Sequence, residues 1–129
     1  MEFSECGAEA PVLPSGMESH GDLNEVRVSG RVSGEVQMRD LPSGDRVLAF
    51  RLVIRRPSGH VSRQSVDVLD CAVWKTGLQR RMTRWSEGDL VEVSGAVRRR
   101  FYRRGGAAAS RVEIEVAGGR RLSRRAAPG

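Results

Sequence analysis

Lysine is almost missing from this chain: of 22 basic residues only Lys75 is a lysine, and the rest are arginine. Aromatics are scarce at 5% of the residues, so any that reaches the surface needs a reason to be there. There are two cysteines, Cys6 and Cys71, and two histidines, His20 and His60. None of them stands at metal-ligand spacing, so no metal site is expected. Cys71 falls in a hydrophobic strand pattern, where a buried free thiol is expected. No apolar run approaches the ~20 residues that cross a bilayer. The N-terminus also lacks a basic region followed by an apolar block, so no secretory signal is read and a cytoplasmic location is expected. Carboxylates are scattered (Asp67, Asp70, Glu92, Glu113, Glu115) with no histidine among them. That pattern does not fit two-metal hydrolysis, so an enzyme is not expected, nor a cofactor or small-molecule substrate.

What is present is arginine, with a formal net charge of +6. Guanidinium groups offer planar bidentate donors to phosphate and stack on flat rings. Codon bias in a GC-rich genome also raises arginine, glycine and alanine, so the positions of the arginines must decide.

Residues 1–22 mix Gly, Pro, Ser, Glu and Ala without periodicity and read as a disordered leader. From Asn24 the pattern changes. Val26, Val28, Gly30 and Val32 alternate with Arg27, Ser29, Arg31 and Ser33, and the alternation resumes at Val36 and Met38. This is a period-two strand, bent at Gly30 or Gly34. Leu41-Pro42-Ser43-Gly44-Asp45 is a turn by composition. A second strand carries Leu48, Phe50, Leu52 and Ile54 on its core face, and residues 56–64 form a polar loop. A third strand puts Leu69, Cys71 and Val73 inward, with Asp70 and Trp74 opposite. Leu78, Met82 and Trp85 make one apolar stripe, which predicts a helix over 76–85. A fourth strand from Leu90 is expected to bury Val91, Val93 and Val97 and to run on through Tyr102. A Gly-rich tip at 103–109 leads to a fifth strand, in which Val112, Ile114 and Val116 alternate with Arg111, Glu113 and Glu115. From Gly118 on, the chain reads as basic and frayed.

Three strands, one helix and two strands give an all-β class: an OB-fold, a five-stranded Greek-key barrel with its helix between strands 3 and 4. The expected division is a leader at 1–22, the OB-fold at 23–122 and a basic tail at 123–129.

Several stretches, in order, resemble the bacterial single-stranded DNA-binding protein family. They are Asn24-Glu25-Val26 with Gly30-Arg31, Leu41-Pro42-Ser43-Gly44, Ala49-Phe50-Arg51-Leu52, and Asp70 through Trp74-Lys75. Glu87-Gly88-Asp89 with Val91-Glu92-Val93-Ser94-Gly95 follows, and then Arg98-Arg99-Arg100-Phe101-Tyr102. The resemblance covers about residues 23–122 and implies non-specific binding of single-stranded DNA, with cations on phosphates and aromatics under bases. It places Trp74 and Tyr102 as stacking residues. Phe101, by alternation, is expected to pack on the other face, and Trp85 to be core. Arg98 and Arg100 share a face with Tyr102. Arg51, Arg55, Arg56 and Lys75 extend a cationic track, and Arg31 in the opening motif completes the candidate set. Family members carry further tryptophans where this chain has Arg55, Arg56 and Val68, so binding is expected to lean more on charge. Asp70 puts a negative charge on the same face, to be paired with a neighbouring arginine.

The chain ends in Arg120-Arg121-Leu122-Ser123-Arg124-Arg125 and then Ala, Pro and Gly, without an acidic tip. An accessory, actinobacterial-type member serving replication, recombination or repair is therefore expected rather than the main replicative hub. The family resemblance also implies a homo-oligomer, a tetramer or a dimer, nucleoid-associated and with no membrane contact. The competing reading is an OB-fold module that binds RNA or a protein partner.

Overall fold

A computed structural model describes residues 21–57, 59 and 63–124. The leader through residue 20, Cys6, both histidines, the loop at residues 58 and 60–62, and the tail from residue 125 lie outside the described residues.

Among the described residues, five strands and one helix follow in the expected order: β1 (Val26–Asp40), β2 (Arg46–Arg55), β3 (Val66–Val73), α1 (Thr76–Met82), β4 (Leu90–Arg104) and β5 (Ala107–Ser123). The strands close into a barrel in the order β1-β2-β3-β5-β4. β3 and β5 run parallel, and the other neighbours are antiparallel. Closure requires β1 to serve two partners. Its first half pairs with β4, from Val26 opposite Gly95 to Arg31 opposite Leu90, and its second half pairs with β2. The bend falls at Gly34, whose φ of +77° a residue with a side chain rarely adopts, inside the register irregularity between Ser33 and Gln37. Gly30 lies in the uninterrupted ladder instead.

The alternating valines and leucines meet inside the barrel: Val32, Leu48, Leu52, Val73, Val91, Val93, Ile114 and Val116 are all buried. The α1 segment closes one end with Met82 and Trp85, and Trp85 meets Phe50 edge to face at a centroid separation of 5.5 Å. The helix ends at Met82, three residues short of the predicted end. Trp85 reaches the core from a following turn in which its N–H donates to the Met82 carbonyl. Buried Gln79 ties the helix to the barrel by donating from Nε2 to the carbonyls of Arg46 and Val73, each at 2.9 Å.

Three strand expectations need correction. Val97, expected to be buried, is 44% exposed, and Val112 on the neighbouring strand is likewise open at 49%. β1 leaves β4 at Gly95 and β3 pairs with β5 only at Ile114 and Glu115, so beyond Val97 and Ile114 the strands β4 and β5 continue as a two-stranded arm. Gly118–Ser123, read as frayed, completes β5, with Gly118 through Ser123 paired along β4 back to Leu90. The tip is tighter than read: Gly105 and Gly106, both at positive φ, turn the arm, and residues on either side are already strand.

Candidate functional site

Trp74 stands where β3 ends and the chain turns into α1, half-buried on the outer side of the barrel at the root of the arm. The guanidinium carbon of Arg100, from β4, lies 4.7 Å from its ring centroid, a cation–π contact. Arg100 is fixed from behind by Glu113 of β5. Its Nε donates to Glu113 Oε2 at 2.9 Å, and Glu113 is only 3% exposed. Arg111 approaches the other carboxylate oxygen at 3.7 Å. Arg100 and Arg111 face each other across the β4–β5 ladder. Like charges in that position repel, and the carboxylate between them removes the conflict. Beneath this cluster lies buried Cys71, whose thiol is pushed up to about 12, first by burial and then by the Asp70 and Glu113 charges.

Two depressions meet at Trp74. One, of about 390 Å³, runs under the bend of β1 and is lined by Ser33, Gln37, Arg51, Asp70, Trp74 and Arg100 among others. The other, of about 1310 Å³, is lined by Asn24, Arg27, Trp74, Lys75, Arg98 and Glu115 among others. Of the sequence-predicted residues, the fold thus gathers Trp74, Lys75, Arg51, Arg98 and Arg100 around one ring. Tyr102 sits farther out on the same face of the arm, opposite Ala109. Arg55 is exposed at the end of β2, and Arg56 is held there by Asp67 at 2.6 Å. Arg31 donates to the Gly88 carbonyl at 3.0 Å. These last four residues line neither depression. Phe101 does not pack on the far face: it is 75% exposed.

The arginines are not a bare cationic track. Arg51 pairs with Asp70 at 3.0 Å, as expected for that acid, and Arg98 pairs with Glu115 at 2.6 Å. Both pairs are substantially exposed. Exposed pairs contribute about 0–1 kcal/mol, so an incoming phosphate can displace the carboxylate at little cost. Arg100 is different, because leaving buried Glu113 without it would cost about 3–5 kcal/mol. Arg98 and Arg51 are therefore exchangeable cations, and Arg100 is a fixed one.

Glu113 and Arg111 are absent from the sequence-based set. The alternation put Glu113 on an outer face, which is correct, but gave no hint that the face is covered there by Trp74 and Arg100. A signal did exist: charges at every second position of β5 oppose charges at every second position of β4, the spacing of cross-strand pairs. Among the described residues, no group of three or more His, Cys, Asp or Glu is arranged to hold a metal ion.

Comparison with known proteins places this geometry. The model of the Single-strand binding protein family matches residues 23–122. A single-stranded DNA-binding protein of Halalkalibacterium halodurans is 30% identical over 81 residues, which is 62% of this chain and 48% of that protein. Single-stranded DNA-binding protein 3 of Listeria innocua is 30% identical over 81 residues, covering 62% of this chain and 51% of that protein. The chain thus spans about half the length of these relatives. Among solved structures, the mitochondrial single-stranded DNA binding protein Rim1 of S. cerevisiae superposes with a TM-score of 0.63 at 16% identity, over 81% of this chain and 99% of that one. The Plasmodium falciparum SSB complex with ssDNA gives a TM-score of 0.61 at 20% identity, over 82% of this chain and 98% of that one. At such identities the likeness concerns the fold, which is the closed five-stranded barrel described above.

Proposed function

The chain belongs to the single-strand binding protein family, and on that premise we propose that it binds single-stranded DNA without sequence preference, through the face centred on Trp74. The observation that carries this reading is the Trp74 ring faced by Arg100, itself anchored on buried Glu113. With a fixed guanidinium over one face of the ring, the other face is the one that takes a base, and stacking of this kind contributes about 1–3 kcal/mol per base. Exchangeable Arg98 and Arg51, with Lys75, supply phosphate contacts on either side, and Tyr102 offers a second ring farther along the arm. Arg31, Arg55 and Arg56 take outlying phosphates in this reading. The activity is binding rather than catalysis. It serves replication, recombination or repair in the nucleoid, and the working form is a homo-oligomer, a dimer or a tetramer.

Anisotropy of a fluorescein-labelled dT oligomer, its duplex and the matching RNA, titrated at two salt concentrations, tests this. The dT strand is expected to bind much more tightly than the duplex, with log K falling by about 0.7 per phosphate contact for each decade of salt. Equal, salt-labile binding to strand and duplex would contradict the reading. One observation favours a second reading, a protein or RNA partner: the arm's other face leaves Val97, Phe101 and Val112 open. Preference for the RNA competitor would shift the balance to that side.

A further inference from the structure

At the far end of α1, five arginines that the binding reading leaves aside converge on one depression of about 380 Å³. Arg80, Arg81 and Arg84 come from the helix and the turn after it, and Arg120 and Arg121 from the end of β5. Arg81 donates to the Gly119 carbonyl at 3.2 Å, Arg120 pairs with Glu92 at 3.2 Å, and Arg121 lies 3.5 Å from buried Asp89. Arg80 and Arg84 are exposed and make no ion pair with any described residue. Positive charge is therefore in excess there. Trp85 forms the floor but is itself buried in the core, so the depression offers donors for phosphate and no open ring for a base.

This depression is not isolated. Another, of about 670 Å³, runs along the helix and is lined by Met38, Arg46, Trp74, Thr76, Arg80 and Thr83 among others. It shares Trp74 with the groove of the candidate site and Arg80 with the arginine depression. The helix itself, Thr76 to Met82, is about 9 Å long at 1.5 Å per helical residue, so Arg84 in the turn after it lies more than one helix length from Lys75. Hydroxyls and guanidinium groups line the way, as a sugar–phosphate chain requires, with one carboxylate, Asp45, beside Arg46.

We propose that a single strand seated on Trp74 continues along α1, and that Arg80, Arg84 and their neighbours form a second anchoring site for its phosphates. Continuity through Trp74 favours a nucleic-acid strand over a separate acidic peptide, for which a path leading to an aromatic ring would serve no purpose. The inference rests on the Trp74 reading, and the test separates the two.

The full chain and its Arg80→Gln/Arg84→Gln double variant are titrated with labelled dT oligomers of about 5 and about 16 nucleotides, the span of OB-fold site sizes. Salt is varied for each. The double variant is expected to lower the log–log salt slope by about 1.4 for the long oligomer, two contacts at about 0.7 each, and to leave the short one unchanged. An unchanged slope at both lengths, or equal weakening at both, overturns the proposal. Trp74→Ala is run beside it. If Trp74→Ala changes neither oligomer while the double variant still selects for length, the stacking reading fails and the phosphate site stands.

Discussion

The barrel and the arm are made from the same two strands, yet they behave as opposites. In the barrel, Val91 and Val93 of β4 and Ile114 and Val116 of β5 are sealed from water. A few residues along, the same inward face of the same strands carries Val97, Phe101 and Val112, all open. The alternation of the sequence does not change between them; what changes is that β1 departs from β4 at Gly95 and β3 pairs with β5 no farther than Ile114. Period-two patterning therefore tells which side a residue faces, and only a third strand tells whether that side is covered. On the opposite face of the arm, Arg98 and Arg100 project beside Trp74 with Tyr102 farther out, so the part of the fold freed from core duty carries the candidate chemistry.

The largest effects should divide these regions. Trp85→Ala removes the aromatic plug and is expected to cost about 3–5 kcal/mol in urea unfolding. Phe101→Ala should stay within about 0.5 kcal/mol, as for an open surface position. Comparable losses would mean that the arm's apolar face is covered in solution. A finer division runs inside the arm. Glu113→Gln weakens a buried anchor for two arginines and should cost roughly 2 kcal/mol. Glu115→Gln touches only the exposed Arg98 pair and should cost under about 1 kcal/mol. If the two substitutions matched in thermal or urea midpoints, the distinction between fixed and exchangeable arginines would fail.

A smaller effect probes the floor where barrel and arm meet. The Cys71 thiol is raised from 9.0 to about 12, so the fold holds it protonated while the unfolded chain ionises. Its contribution is therefore fully present below pH 9.0 and is lost as pH rises toward about 12. Relative to Cys71→Ala, the native chain should lose about 1 kcal/mol by pH 10. Parallel curves for the two proteins would show that the thiol is not sequestered.

Much of this architecture was readable from residues. Val26 to Val32, Leu48 to Leu52 and the Leu78–Met82–Trp85 stripe pointed directly to the strands, the helix and the core. The position of Trp74 outside the Cys71–Val73 core stripe was readable too. The covering of Glu113 was not, since it depends on β3 running beside β5, a pairing of only Cys71 with Ile114 and Ala72 with Glu115. The end of β5 was missed because Gly118-Gly119 looks like a loop. A side chain at Gly119 would come within 2.9 Å of the Glu92 carbonyl oxygen and 3.0 Å of Met82 Cε, so close packing against the helix requires glycine there. The pairing of Arg98 and Arg51 with acids was hidden for a similar reason: charge counts do not register which charges neutralise each other.

The central claim, that Trp74 is the platform on which bases stack, is open to a direct optical test. The chain has two tryptophans, and Trp85 is enclosed in the core, so quenching by an added strand reports on Trp74. Titration with a dT oligomer is expected to quench the emission of the native chain and to leave the Trp74→Phe variant, with Trp85 alone, unquenched. Trp74→Ala should weaken binding by about 1–3 kcal/mol. Unchanged affinity and undiminished quenching in those variants would contradict the account.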